Sequence, residues 1–146
     1  MKAKKGMIQK KMIDDKTIKD LYKSALNVRE NAYVPYSNFK VGAAVLTEAG
    51  EIFCGCNVEN SSFGLTVCAE RNSIFSAVAH GHKSFKALLV VADSKEPVKP
   101  CGACRQVMAE FGDFDVFLAN LKGNIEKTKV SELLPHAFGP NDLMKE

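Results

Sequence analysis

Three cysteines and a glutamate stand in two short stretches, Cys68-Ala69-Glu70-Arg71 and Pro100-Cys101-Gly102-Ala103-Cys104-Arg105-Gln106. Three thiolates can hold a zinc ion while leaving one of its four tetrahedral positions to water, whose pKa then falls from about 15.7 to about 7. A purely structural zinc takes a fourth protein ligand instead. Glu70, two residues after the first cysteine, is placed to carry protons beside such a water. The chemistry expected is therefore metal-assisted hydrolysis, with one Zn2+ per chain on Cys68, Cys101 and Cys104 and with Glu70 as the acid and base.

The elements that must position these groups follow from periodicity. Ile18, Leu21, Tyr22, Ala25, Leu26 and Ala32 recur at helical spacing, so a helix is expected over 17–32, with Thr17 as its start signal. Pro35 excludes Val34 from helical geometry, and a loop follows. Two apolar runs, 41–46 and 52–56, flank Gly50 as a hairpin, and the polar stretch 57–66 is a loop long enough to suspect function. From Val67 a second helix carries Glu70, Ile74, Ala77 and Val78 on one face and stops at Gly81. The continuous apolar run 87–92 suits a central strand covered on both faces. A third helix opens near Cys101, places Cys104, Val107, Met108 and Phe111 on one face, and ends at Gly112. A second hairpin spans 115–119 and 125–129, and a short helix over 130–134 is stopped by Pro135. Cys68 thus falls in the first turn of one helix, and Cys101 and Cys104 in the first turn of another. The positive ends of both helices favour thiolates. Arg71 and Arg105 are the cations at hand, with Arg71 expected to hydrogen-bond a thiolate.

Bulk properties bound the host of such a site. A chain of 146 residues, 46% hydrophobic and 25% charged, suits one globular domain with a real core. A net charge of +3 gives no reason to expect a nucleic-acid partner. The lysines before Asp14 read as a basic N-terminal extension over 1–16, flexible, with the domain occupying 17–146. No apolar run approaches the roughly 18 residues of a membrane span, and no signal-peptide core follows those lysines. The expected location is the cytoplasm, where five cysteines, an odd number, suit reduced thiols and metal binding better than disulfides.

Single features have plainer readings. Cys-Gly-Ala-Cys alone would also suit a redox pair opening a helix. Cys54 and Cys56 share a strand face and are read as core. His80 and His82, at a helix end, are read as solvated groups near its negative pole. Phe39 alone could be core, Asn57 a turn residue and Glu59 a surface charge.

In combination, these stretches are similar to one family from about Leu21 to Leu143. The chain resembles the cytidine deaminases of the small homotetrameric, three-cysteine zinc type. The likeness runs through Ala32-Tyr33-Val34-Pro35-Tyr36-Ser37, Phe39-Lys40-Val41-Gly42-Ala43-Ala44, Gly55-Cys56-Asn57-Val58-Glu59-Asn60, the two cysteine stretches and Leu133-Leu134-Pro135. It implies an α/β fold, a three-layer α/β/α sandwich with a five-stranded mixed sheet and both cysteine-bearing helices on one face. It implies hydrolytic deamination of cytidine and deoxycytidine to the uracil nucleosides in pyrimidine salvage. By the same resemblance, Asn57 and Glu59 read the sugar hydroxyl, Phe39 stacks on the base and the Ala69 backbone meets the base's polar edge. Phe138 would arrive from a neighbouring subunit of a homotetramer. The chain departs from the family pattern at Phe63, where relatives often have Tyr, at Lys99 where Ser is common, and at Asn72-Ser73. An aminonucleoside-antibiotic deaminase would share the cysteines but lack Asn57-Val58-Glu59-Asn60. A zinc-stabilised binding module would have no use for Glu70.

Overall fold

The structure, a computed structural model, describes residues 12–144. The first helix, α1 (Asp15–Arg29), opens two residues before the expected start, because Asp14 is its cap: the Asp14 carboxylate accepts the Thr17 amide at 2.8 Å. Thr17 is thus inside the first turn. The helix also stops before residue 32, as the amides of Asn31 and Ala32 turn back to the carbonyls of Val28 and Arg29 and the chain leaves as an extended segment. Of the expected basic extension, residues 1–11 lie outside the described residues, and Asp15 and Lys16 belong to the helix.

The strands are β1 (Val41–Thr47), β2 (Ile52–Cys56), β3 (Phe85–Ala92), β4 (Asp115–Asn120) and β5 (Ile125–Lys129). They form one sheet in the order β2-β1-β3-β4-β5. Only β3 and β4 run parallel, and the other neighbours are antiparallel, so the sheet is mixed as expected. Between β3 and β4 the chain crosses through α3 (Gly102–Glu110), as a parallel pair requires. Ahead of β3 lies α2 (Ala69–Ala79), and after β5 come two short turns of helix, α4 (Val130–Leu133) and α5 (Pro140–Leu143).

Side chains alternate across the sheet and divide the core in two. Ala44, Leu46, Leu89, Val91, Phe117 and Ala119 face α1, meeting Leu21 and Ala25. Ala43, Val45, Leu88, Val90, Val116 and Leu118 face α2 and α3, meeting Ile74, Ala77, Cys104 and Met108. This is the three-layer α/β/α arrangement, with β3 buried on both sides from Ala87 to Ala92. Val78, expected on the buried face of α2, is 37% exposed, because it lies beside exposed Phe75 rather than over the sheet.

Two glycines bring helices unusually near the sheet. A Cβ on Gly42 would lie 2.1 Å from the Ala25 carbonyl oxygen of α1, and one on Gly55 would lie 2.3 Å from the Ser73 nitrogen of α2. Helix and strand therefore touch backbone to backbone on both faces. Cys54 and Cys56, flanking Gly55, are half-buried, and burial pushes both thiols up from their ordinary pKa.

Candidate active site

Cys68 and Cys101 are the N-cap residues of α2 and α3, one position outside the helical turns in which the sequence placed them, and neither sulfur caps its helix. Both thiols remain free to point at a common centre. Cys104, in the first turn of α3, is fully buried. The Cys68 and Cys101 sulfurs lie 3.8 Å apart, those of Cys101 and Cys104 3.6 Å apart, and all three fall within 4.8 Å of one another. Zn–S bonds of about 2.3 Å in a tetrahedron put sulfurs about 3.8 Å apart, so the cluster fits zinc. With metal-free thiols, a hydrogen bond from Cys104 and the Arg71 cation hold Cys68 down at about 5, while Cys104, buried beside that thiolate, is pushed far up. One charge is already present, and zinc displaces the remaining protons.

Arg71 meets the expectation for it. Its Nη2 donates to Cys68 Sγ at 3.4 Å, and its buried Nε–H has no acceptor among the described residues. A cation with an unused hydrogen beside three thiolates suits a centre whose net charge with Zn2+ is negative. Arg105 acts elsewhere. Its Nε donates to the Pro100 carbonyl at 2.8 Å and its Nη1 to the Leu133 carbonyl at 2.9 Å, tying the approach to Cys101 to the end of α4.

Glu70, in the first turn of α2, is 4% exposed. Burial raises its pKa to about 7, with its own amide and the Cys104 thiol opposing part of that rise and the Cys68 thiolate adding to it. Ala69 beside it is fully buried.

Phe39, Asn57 and Glu59 come together on the loop between α1 and β1 and the segment after β2. Asn57 donates from Nδ2 to the Phe39 carbonyl at 2.8 Å and accepts the Val41 amide at 2.9 Å, so its amide bridges the loop's end. Glu59 accepts the amides of Tyr36 and Ser37 at 2.9 and 3.2 Å and the Ser37 hydroxyl as well. Those donors, the Ser37 hydroxyl first, hold its carboxyl below the usual range. Phe39 is 41% exposed. Phe63 stands out in solvent, its ring edge-on to Tyr36 with centroids 5.6 Å apart. Phe138 does not cover its own core. It is 57% exposed, with its carbonyl accepting Gln106 Nε2 at 2.8 Å.

The sequence reading passed over Ser37 and Gln106. Both sit inside quoted stretches, but their partners lie 22 and 32 residues away, and no local pattern announces such pairs. The histidines are also more engaged than expected. His82 pairs with Glu51 at 2.7 Å, and both His80 and His82 rings pack near Phe53.

A groove of about 570 Å³, lined by Leu46, Lys86, Asp115 and Lys129 among others, lies at the opposite end of the sheet from the cysteines. None of the cysteines or Glu70 lines it.

Residues 15–120 match the model of a family described as the cytidine and deoxycytidylate deaminase zinc-binding region. The chain is 57% identical over 128 residues to a cytidine deaminase of Sporosarcina psychrophila, covering 86% of this chain and 94% of that one. It is 54% identical over 125 residues to a cytidine deaminase of Halalkalibacterium halodurans, covering 84% and 95%. The crystal structure of cytidine deaminase from Burkholderia pseudomallei superposes with a TM-score of 0.80 at 51% identity, over 82% of this chain and 98% of that one. Among the described residues no helix is long and apolar enough to cross a membrane. With a matching fold and a sulfur cluster of zinc dimensions, the chain belongs to the zinc-dependent cytidine deaminases, enzymes that hydrolyse cytidine to uridine and ammonia.

Proposed function

We propose that the chain works as a cytoplasmic homotetramer of pyrimidine salvage, deaminating cytidine and deoxycytidine, with each site completed by a neighbouring subunit. The observation that carries the chemical part is Glu70, buried in the first turn of α2 beside three converging sulfurs and with a pKa near neutrality. Zinc held by Cys68, Cys101 and Cys104 supplies a Lewis acid that brings the pKa of a water toward 7. Glu70 would accept a proton from the water that attacks the pyrimidine 4-carbon and deliver it to ring nitrogen 3. It then carries the hydroxyl proton to the departing amine, so that ammonia leaves and a carbonyl remains. A carboxyl with a pKa near 7 can both accept and release at neutral pH. Arg71, on the Cys68 sulfur, steadies the negative charge of the ligand set.

Recognition falls to the loop side. The exposed Phe39 ring offers a stacking face for the base, and the Ala69 backbone meets its polar edge. Asn57 and Glu59 keep hydrogen-bonding capacity beyond the loop contacts described, which serves the sugar hydroxyl. The assembly is supported by the number of aromatics left in solvent: Tyr33, Tyr36, Phe63, Phe75 and Phe138 are all between 47 and 73% exposed. Burying rings of this size against a neighbouring subunit would favour assembly. Phe138 from one subunit closes the sugar end of the next one's site and excludes water from the polar contacts there. The deaminase domain occupies the chain from α1 onward, behind the basic N-terminal segment.

The deciding experiment follows deamination by ultraviolet absorbance with cytidine, deoxycytidine and a cytosine-containing oligonucleotide in parallel. Turnover of both nucleosides with none of the oligonucleotide is expected. Preference for the oligonucleotide overturns the reading.

A further inference from the structure

Ser37 lies in the loop between α1 and β1, is exposed, and makes more use of its hydroxyl than any residue near it. The Oγ donates to Glu59 Oε2 and accepts the Phe39 amide at 3.0 Å. On either side the loop is stapled to the segment after β2. The Tyr33 amide donates to the Asn57 carbonyl at 3.0 Å and the Glu59 amide to the Tyr33 carbonyl at 2.9 Å, while the Asn57 amide group grips Phe39 and Val41 from the far end. Between these staples the chain makes a left-handed step at Asn38, φ 59°, which puts Phe39 at its exposed position.

We infer that Ser37 is a positioning residue of the nucleoside site: one hydroxyl, bonded at once to the Glu59 carboxylate and the Phe39 amide, holds the sugar-side acceptor and the base-side ring in a fixed relation. The inference rests on the proposal that Glu59 and Phe39 contact the nucleoside. A serine hydroxyl has a single hydrogen, and here it is committed to Glu59, which fixes the direction of the lone pairs that receive Phe39 N–H. A carboxylate has about four acceptor sites. Three are taken by Tyr36 N, Ser37 N and Ser37 Oγ, so Glu59 presents one remaining acceptor in one direction. The same hydroxyl leads the causes that hold the Glu59 carboxyl below its usual range. The two backbone amides add to it, and no charged side chain is among the causes.

Ser37→Ala removes the link without touching Glu59, Phe39 or the cysteines. A hydrogen bond to a charged group is worth enough that KM for cytidine should rise about tenfold, with kcat within about threefold of wild type. Zinc content and sedimentation should be unchanged. Removing a donor to the carboxylate raises the Glu59 pKa, so the acid limb of kcat/KM should move to higher pH, a change that general loosening of the loop would not produce. Ser37→Thr, which keeps the hydroxyl, should restore both readouts. Ser37→Cys, with similar bulk and a weaker donor, should shift KM in the same direction as alanine. Wild-type KM and pH limb in Ser37→Ala, alongside a raised KM in Glu59→Gln, would overturn the inference and leave the nucleoside site standing. An unchanged KM in Glu59→Gln as well would remove Glu59 from the site and the inference with it. Loss of zinc or of assembly in Ser37→Ala would mark the residue as merely structural.

Discussion

Cys68, Cys101 and Cys104 sit at helix ends packed on the sheet, whereas Phe39, Phe63 and Phe138 stand in solvent on loops and on the C-terminal segment. The first group is anchored by α2 and α3 across one face of a core that includes Ile74, Ala77 and Met108. The second is held by hydrogen bonds to backbone groups: Asn57 on Phe39 and Val41, Ser37 on Phe39, Gln106 on Phe138. One chain therefore brings together three sulfurs and a buried carboxyl by packing, while on the proposed reading part of what surrounds the nucleoside comes from a neighbouring subunit. Reactivity is fixed by packing and recognition by tethers. That division suits the assembly proposed above, in which the chemistry stays fixed while the binding surface is shared.

The comparison can be broken at its strongest point first. Cys68→Ala, Cys101→Ala and Cys104→Ala should each lose zinc and activity together. Full metal occupancy in all three variants, measured by atomic absorption, would end the assignment of the cluster. Next in size is Glu70→Gln, which keeps the shape and leaves the sulfurs alone. Zinc should stay while turnover falls roughly 10²- to 10⁴-fold, and a variant within a few-fold of wild type would sink the proton-carrying role. The recognising half should respond differently. Phe138→Ala should raise KM for cytidine by about tenfold, since a buried aromatic contact is worth a few kcal/mol at most, with zinc content untouched. Sedimentation of the wild-type chain should give about four times its monomer mass, and a fully active monomer would show that the tethers alone complete the site.

The reacting half was the more legible in sequence, because zinc chemistry constrains residue type and spacing at once. Cys68 with Glu70 two residues on, and Cys101 with Cys104 three on, cannot be spread along a chain without losing the geometry. The strands and the central position of β3 followed from unbroken apolar runs. The strand order did not: periodicity is silent on which edges pair, and the family resemblance implied a five-stranded mixed sheet without its order. Local pattern points to Thr17 as the start signal of the first helix, whereas the cap is Asp14, whose carboxylate accepts the Thr17 amide. Arg105, adjacent to a ligand cysteine, looked like a companion to the thiolates but bonds the carbonyls of Pro100 and Leu133. Backbone acceptors brought close by folding leave no mark in residue types. The same blindness hid Ser37, an exposed polar loop residue whose importance lies in a partner far along the chain.

The contact at Gly55 acts as a ruler. Ser73 N, Ala69 O and the Asn72 carbonyl carbon would lie within 2.7 Å of any Cβ there. The depth of α2, and of the glutamate it carries, is thus set by main chain against main chain, beyond the reach of compensating side-chain changes in the core. In a saturation scan scored for growth on cytidine, position 55 should tolerate substitution as poorly as a ligand cysteine although it touches neither metal nor substrate. Gly55→Ala should push the helix outward and cost about 1–3 kcal/mol of stability, measured by urea unfolding. Tolerance of alanine at wild-type stability would show that the ruler can stretch. Where alanine is not tolerated, the position of the catalytic helix is governed by the absence of a side chain on the strand beneath it.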